Sequence, residues 1–132
     1  MKLQRFDHIG IEVADLERAE QFYTAVLGLE VVARFGDQVL MRCGEQNLAL
    51  FRVERPALTA DARRARIGHP LSKGHHAFLV SRDDFASAAE RLGEAGVEVA
   101  PTIDWGDHDC RYFLDPDGNL LEIVSYRSTN SR

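Results

Sequence analysis

The chain has 132 residues, 45% hydrophobic and 28% charged, enough for one domain or two small modules sharing a core. That composition excludes a disordered tail, a collagen-like repeat and a disulfide-stapled miniprotein. The formal net charge of -5 disfavours nucleic acid and anionic membrane as partners, and two cysteines, Cys43 and Cys110, are too few for a disulfide framework. No apolar run approaches the roughly 18 residues that a spanning helix needs, and the N-terminus turns polar early, so a cytoplasmic protein is expected.

In chain order, His8-Ile9-Gly10-Ile11-Glu12-Val13 reads as a strand with His8, Gly10 and Glu12 on one face. Asp15 can cap a helix carrying Leu16, Ala19, Phe22, Tyr23, Val26 and Leu27, which Gly28 stops. Strands are expected at Gly28 to Val31, Gln38 to Arg42 and Asn47 to Val53. Glu54 to Gly74 then forms a long bridge, with a short helix over Ala60 to Ile67. Its Arg63-Arg64-Ala65-Arg66 cluster reads as a solvated face.

The pattern then repeats. His75-His76-Ala77-Phe78-Leu79-Val80 is a strand with His75, Ala77 and Leu79 on one face. A helix follows, capped by Asp83 or Asp84, carrying Phe85, Ala88, Ala89 and Leu92 and ending near Gly93 or Gly96. Strands are expected at Gly96 to Val99, Asp109 to Leu114 and Asn119 to Tyr126, the last two joined by Asp115-Pro116-Asp117-Gly118-Asn119. The order is β-α-β-β-β, twice.

The repeat puts His8 and His75 at equivalent places. Glu122 lies in mid-strand among Leu120, Leu121, Ile123 and Val124, with Leu50 as its expected counterpart. A carboxylate there costs several kcal/mol to bury unless it is paired or metal-bound. Two histidines and one carboxylate are a set that holds Fe(II), Mn(II) or a similar cation with positions left open.

Asp7-His8-Ile9-Gly10-Ile11, Phe22-Tyr23 through Leu27-Gly28, His75-His76-Ala77-Phe78 and Asp115-Pro116-Asp117-Gly118-Asn119 followed by Glu122 resemble the vicinal oxygen chelate superfamily. That superfamily includes glyoxalase I, extradiol dioxygenases, fosfomycin thiol transferases and metal-free bleomycin resistance proteins. The resemblance covers about Phe6 to Tyr126. It implies an α+β fold in which two β-α-β-β-β modules (about 5–53 and about 74–126, joined by a bridge of about 54–73) form an eight-stranded curved mixed sheet, an open cup with helices outside. It implies one divalent metal ion (Fe(II), Mn, Ni or Zn) on His8, His75 and Glu122. It also implies a small substrate that chelates the ion through adjacent oxygens, and a homodimer.

Departures narrow the chemistry. Glyoxalase I supplies a fourth ligand, a Glu, near the place of Leu50. The Lys- and Ser-rich loop of the thiol transferases is replaced by Asp104-Trp105-Gly106-Asp107-His108-Asp109-Cys110, an acidic stretch ill-suited to a phosphonate. Gly106-Asp107-His108 and Tyr112-Phe113-Leu114-Asp115-Pro116-Asp117-Gly118 resemble parts of the ring-cleaving signature. For such chemistry His108 is the acid/base and Tyr112 a substrate hydrogen-bond donor; for glyoxalase-like chemistry Glu122 moves the proton. A thiol transferase and a metal-free drug- or metabolite-binding protein stand as the alternatives. Trp105 is a candidate apolar wall of the cup, and Cys110 has no basic partner in sequence to mark it as a nucleophile.

Overall fold

Each half of the chain builds a βαβββ unit. The computed structural model describes residues 1–127, the Ser72 side chain apart, and divides into Met1–Ala57 and a second unit that begins at Leu58.

In the first unit β1 (His8–Val13) leads to α1 (Leu16–Gln21). Asp15 caps α1 as expected, its Oδ1 accepting the Arg18 N–H at 3.0 Å. The helix continues through a π-helical turn over Phe22–Val26, and Gly28 ends it in the left-handed region (φ 76°) that a Cβ disfavours. Then come β2 (Glu30–Phe35), β3 (Gln38–Cys43) and β4 (Gln46–Arg52), in a sheet of order β1-β4-β3-β2 with β1 and β4 parallel. Ile11, Val13, Val39, Met41, Leu48 and Leu50 fill one face with Ala19, Phe22 and Tyr23. Each large apolar side chain buried in this way is worth about 1.5–3 kcal/mol.

In the second unit the bridge carries α2 (Ala60–Gly68), capped by Thr59, and a 3-10 turn (Pro70–Ser72). After them come β5 (His76–Leu79), α3 (Arg82–Glu94), β6 (Ile103–Asp104), β7 (His108–Leu114) and β8 (Leu120–Tyr126). The sheet order is β5-β8-β7-β6, with β5 and β8 parallel. The eight strands are thus hydrogen-bonded as two four-stranded mixed sheets, one in each unit.

Four expectations need correction. The α3 cap is Ser81, whose Oγ accepts the Asp84 N–H at 3.0 Å; Asp83 and Asp84 occupy the first turn, where the helix dipole favours negative charge. The strand expected at Gly96 to Val99 shrinks to a single bridge, Val99 to Phe113, and pairing resumes at Ile103. Pro101, which has no N–H to give a ladder, stands between. β5 begins at His76, because His75 is turned back onto the Lys73 carbonyl.

The arginine cluster is not simply a solvated face. Arg63 donates through Nη1 and Nη2 to Asp115 O (both 3.1 Å) and through Nη1 to Pro116 O (3.2 Å); Arg66 Nη1 donates to Gly118 O (2.8 Å). These bonds strap α2 onto the β7–β8 turn and bring Ile67 against Ala100, Cys110, Tyr112, Leu114 and Leu120.

Candidate functional site

Glu122 occupies the middle of β8 and is only 7% exposed. The ladder places it opposite Ala77 on β5 and Tyr112 on β7. His75 stands two residues before Ala77 and so faces the same way. Its Nε2 lies 3.0 Å from Glu122 Oε1, while its Nδ1 lies 3.0 Å from the Lys73 carbonyl oxygen.

That pair of contacts fixes the chemistry of the ring. A carbonyl oxygen only accepts, so Nδ1 carries a proton and donates to Lys73. In the neutral ring Nε2 then carries a lone pair and lies 3.0 Å from a carboxylate oxygen. Two acceptors at 3.0 Å repel unless positive charge lies between them, supplied by a proton or a metal ion. An imidazole held by a backbone carbonyl through its other nitrogen is also the usual arrangement of a metal-ligating histidine. A nitrogen and a carboxylate oxygen suit Fe(II), Mn, Ni or Zn. The donor set therefore fits a divalent metal.

Tyr112 closes one side of the site. Its ring meets His75 edge-on, with centroids 5.2 Å apart and planes at 78°. Burial and then the Glu122 charge push its hydroxyl up to about 12. Cys110, two residues earlier on the same face of β7, is fully buried. Burial, followed by a hydrogen bond with Glu122, pushes its thiol up to about 11, and its Sγ accepts the Trp105 Nε1–H at 3.3 Å. His76 points to the other face of β5, where burial and then the neighbouring His75 hold its pKa below the usual histidine value.

The fold therefore gathers His75, Glu122 and Tyr112, and adds Cys110, which lacked a basic partner in sequence. Strand parity is the signal for Cys110, because residues 110 and 112 share a face. His108 stands apart. It is four residues before Tyr112, about 13 Å along the strand. It pairs opposite Tyr126, packs between Trp105 (6.3 Å, 18°) and Tyr126 (4.8 Å, 30°), and its Nδ1 donates to Asp107 Oδ1 at 2.5 Å. His8 belongs to the first unit, where its exposed ring donates through Nδ1 to Asp7 Oδ2 at 2.9 Å. Among the described residues no three His, Cys, Asp or Glu side chains are grouped as a metal site.

Two further sequence readings change. Gly10 pairs with Ala49, which pairs with Leu40, just as Ala77 pairs with Glu122, which pairs with Tyr112. Ladder register thus makes Ala49, not Leu50, the counterpart of Glu122. The acidic stretch is also partly neutralised: Arg127 Nη2 contacts Asp104 Oδ1 (3.1 Å) and Asp109 Oδ1 (2.5 Å), and Arg82 Nη2 contacts Asp109 Oδ2 (2.9 Å). Its sequence acidity therefore says little about substrate charge.

The model of the Glyoxalase/Bleomycin resistance protein/Dioxygenase superfamily matches residues 5–123. The chain belongs to this superfamily. It is 31% identical over 125 residues to the glutathione transferase FosA of Serratia marcescens, covering 92% of this chain and 80% of that protein. It is 31% identical over 127 residues to the catechol-2,3-dioxygenase of Bacillus subtilis (strain 168), covering 91% of this chain but only 42% of that protein. The structure of a glyoxalase/dioxygenase from Nostoc punctiforme shares the fold, with a TM-score of 0.75 at 21% identity, covering 95% of this chain and 92% of that one. Members of the superfamily use divalent metals and bind small-molecule substrates. Among the described residues no helix is long and apolar enough to cross a membrane.

Proposed function

We propose that the protein is a divalent-metal enzyme of the glyoxalase and extradiol dioxygenase type, acting on a small substrate that chelates the metal through adjacent oxygens. The observation that carries this reading is the His75 Nε2 to Glu122 Oε1 approach, made while Nδ1 is committed to the Lys73 carbonyl. His75 and Glu122 supply two ligands. The third is His8, assigned from its place in the repeat, in a homodimeric cytoplasmic protein. A bound Fe(II), Mn, Ni or Zn ion would act as a Lewis acid on the chelating oxygens.

The chain's own residues do the rest. Tyr112, with its hydroxyl pushed up to about 12, keeps its proton at neutral pH and donates it in a hydrogen bond to a substrate oxygen. Glu122 accepts a proton from substrate in a glyoxalase-like reaction. Leu120 and Leu114, buried beside Tyr112, keep water from that side. The expected acid/base role of His108 finds no support in its contacts with Asp107, Trp105 and Tyr126. The 31% identity to FosA keeps a thiol transferase as the second reading.

Metal analysis of protein incubated in turn with Fe(II), Mn, Ni and Zn provides the test. The expected result is one bound ion per chain in the wild type and none in His75→Ala, Glu122→Ala or His8→Ala. Absence of any bindable metal would sink the enzyme reading and leave a metal-free binding protein. With metal bound, oxygen uptake on catechols marks a dioxygenase, and thiol consumption with fosfomycin marks the transferase.

A further inference from the structure

The second unit holds a pocket that the candidate metal site does not use. Arg66 from the last turn of α2, Lys73 and Gly74 from the end of the bridge, His76 at the start of β5, and Asn119 and Leu120 where β8 begins line an open space of about 420 Å³. A pocket of that size takes a small molecule. Its chemistry is one-sided: it offers a guanidinium, an ammonium, an imidazole and a side-chain amide, and no carboxylate lines it.

The surrounding bonds set these groups in place. Arg66 Nη1 donates to Gly118 O at 2.8 Å, which fixes the guanidinium and leaves the rest of its donor fork to give. Lys73 Nζ donates to the His69 carbonyl oxygen at 3.1 Å, a neutral acceptor. Asn119 is held by its Nδ2, which donates to Asp115 Oδ2 at 2.8 Å. His76 supplies an independent sign. Its Nδ1 is buried and has no hydrogen-bond partner. Buried polar atoms are nearly always paired, so such a nitrogen marks a place where something outside the chain makes the bond. Two cations with no carboxylate between them ask for a dianion. A guanidinium fork suits its oxygens, and a phosphate ester carries about -1.5 to -2 at neutral pH.

We propose that this pocket is a binding site for a small phosphate ester, with Arg66 and Lys73 taking the phosphate oxygens and His76 and Asn119 adding neutral hydrogen bonds. The buried Leu120 gives the organic part of the ester an apolar surface. The site is separate from the candidate metal site, because His75 turns to Glu122 whereas His76 points to the other face of β5. Lys73 stands between the two: its carbonyl holds His75 Nδ1, and its ammonium lines the pocket. The inference does not rest on metal binding.

The test titrates chelator-treated, metal-free protein with phenyl phosphate, inorganic phosphate and benzoate, followed by amide proton–nitrogen correlation spectra. It is run at about pH 8, where the ester is dianionic, in about 0.15 M salt, which screens diffuse surface attraction. Saturable shifts are expected at the amides of Gly74, His76 and Asn119, with phenyl phosphate binding more tightly than either other probe. Lys73→Ala, at an exposed position, should weaken phenyl phosphate about tenfold, and Arg66→Lys, which keeps the charge but loses the fork, by a similar factor. His76→Phe should weaken it about threefold, the scale of one neutral hydrogen bond. Arg64→Ala, exposed on the same helix, should bind as the wild type does. Lys73→Ala and His76→Phe decide the matter if Arg66→Lys, which disturbs the bond to Gly118, fails to fold by circular dichroism. No saturable shift, shifts centred on Glu122 and Tyr112, or wild-type affinity in Lys73→Ala overturns the site. Equal affinity for phenyl phosphate and inorganic phosphate overturns the assignment of an ester, and equal affinity for benzoate overturns that of a dianion.

Discussion

The two units carry the same rung of three strands with different contents. In the first it reads Gly10, Ala49, Leu40; in the second it reads Ala77, Glu122, Tyr112. Around the first, Phe51 presses so close to Gly10 that an added Cβ would sit 3.1 Å from the ring, and no charge is buried there. Around the second, a buried carboxylate lies 3.0 Å from an imidazole nitrogen and directly opposite a tyrosine on the next strand. The scaffold is duplicated, and the chemistry is concentrated in one copy. Tolerating that carboxylate takes specific partners, because an unpaired buried charge would cost several kcal/mol.

The sharpest way to break the comparison is to make the second rung like the first. Glu122→Ala is expected to abolish metal binding and activity, exceeding the about 10–100-fold loss typical of an outer-sphere change. His75→Ala should do the same, read by metal content after gel filtration. His8→Ala tests whether the first unit contributes its histidine, and full metal occupancy in that variant would confine the site to the second unit.

The next effect lies in the turns. The β3–β4 turn is two residues around Gly44, whereas the β7–β8 turn is organised by fully buried Asp115. Its Oδ1 accepts the Asp117 and Asn119 N–H groups (both 2.9 Å), and its Oδ2 accepts Asn119 Nδ2 (2.8 Å). Asp115→Ala strands these donors and should cost about 2–4 kcal/mol in urea unfolding.

Gly44 and Gly118 both have left-handed backbones, with φ of 58° and 85°. At Gly44 an added Cβ meets nothing within 4 Å, while at Gly118 it would lie 2.2 Å from Leu58 Cδ1. Gly44→Ala should therefore cost about 1–2 kcal/mol, from the backbone alone. Gly118→Ala should cost about 1–3 kcal/mol more, because Leu58 must move as well. Equal melting temperatures for the two variants would contradict the packing of Leu58 over Gly118.

The smallest effect is alkaline. Tyr112 and Cys110 are raised to about 12 and about 11 in the folded state, from ordinary values of 10.0 and 9.0. Above those ordinary values the unfolded chain loses protons that the folded chain keeps, so stability falls as pH rises. The contribution is complete below pH 9 and disappears between about pH 9 and 12. Tyr112→Phe should flatten the upper part of that decline, measured by denaturant midpoints at successive pH values.

Much of this was legible in the chain itself. The His8 and His75 repeat, the period-two strands and the Asp15 cap gave the duplicated βαβββ order, because local patterning repeats wherever the module does. Glu122 stood out because a charge amid Leu120, Leu121, Ile123 and Val124 needs compensation. The strand at Gly96 to Val99 failed because Gly96 and Val97 give their N–H groups back to Gly93 and Leu92 at the end of α3, and the Asp83 or Asp84 cap failed because Ser81, two residues before Asp83, accepts the Asp84 N–H.

Sequence by itself determined which residue types are present and, through strand parity, which share a face. Tertiary structure decided register and partnership. Only the pairing of β7 with β8 sets Tyr112 opposite Glu122, makes Ala49 rather than Leu50 the counterpart, and brings Cys110 beside the carboxylate. Only the loop before β7 carries Trp105 back to the Cys110 sulfur, and only the β7–β8 register sets His108 opposite Tyr126 rather than Glu122. The physical reason is that parity is a property of one strand, whereas a cross-strand neighbour depends on how two strands slide, and that is settled by the packing of the whole sheet.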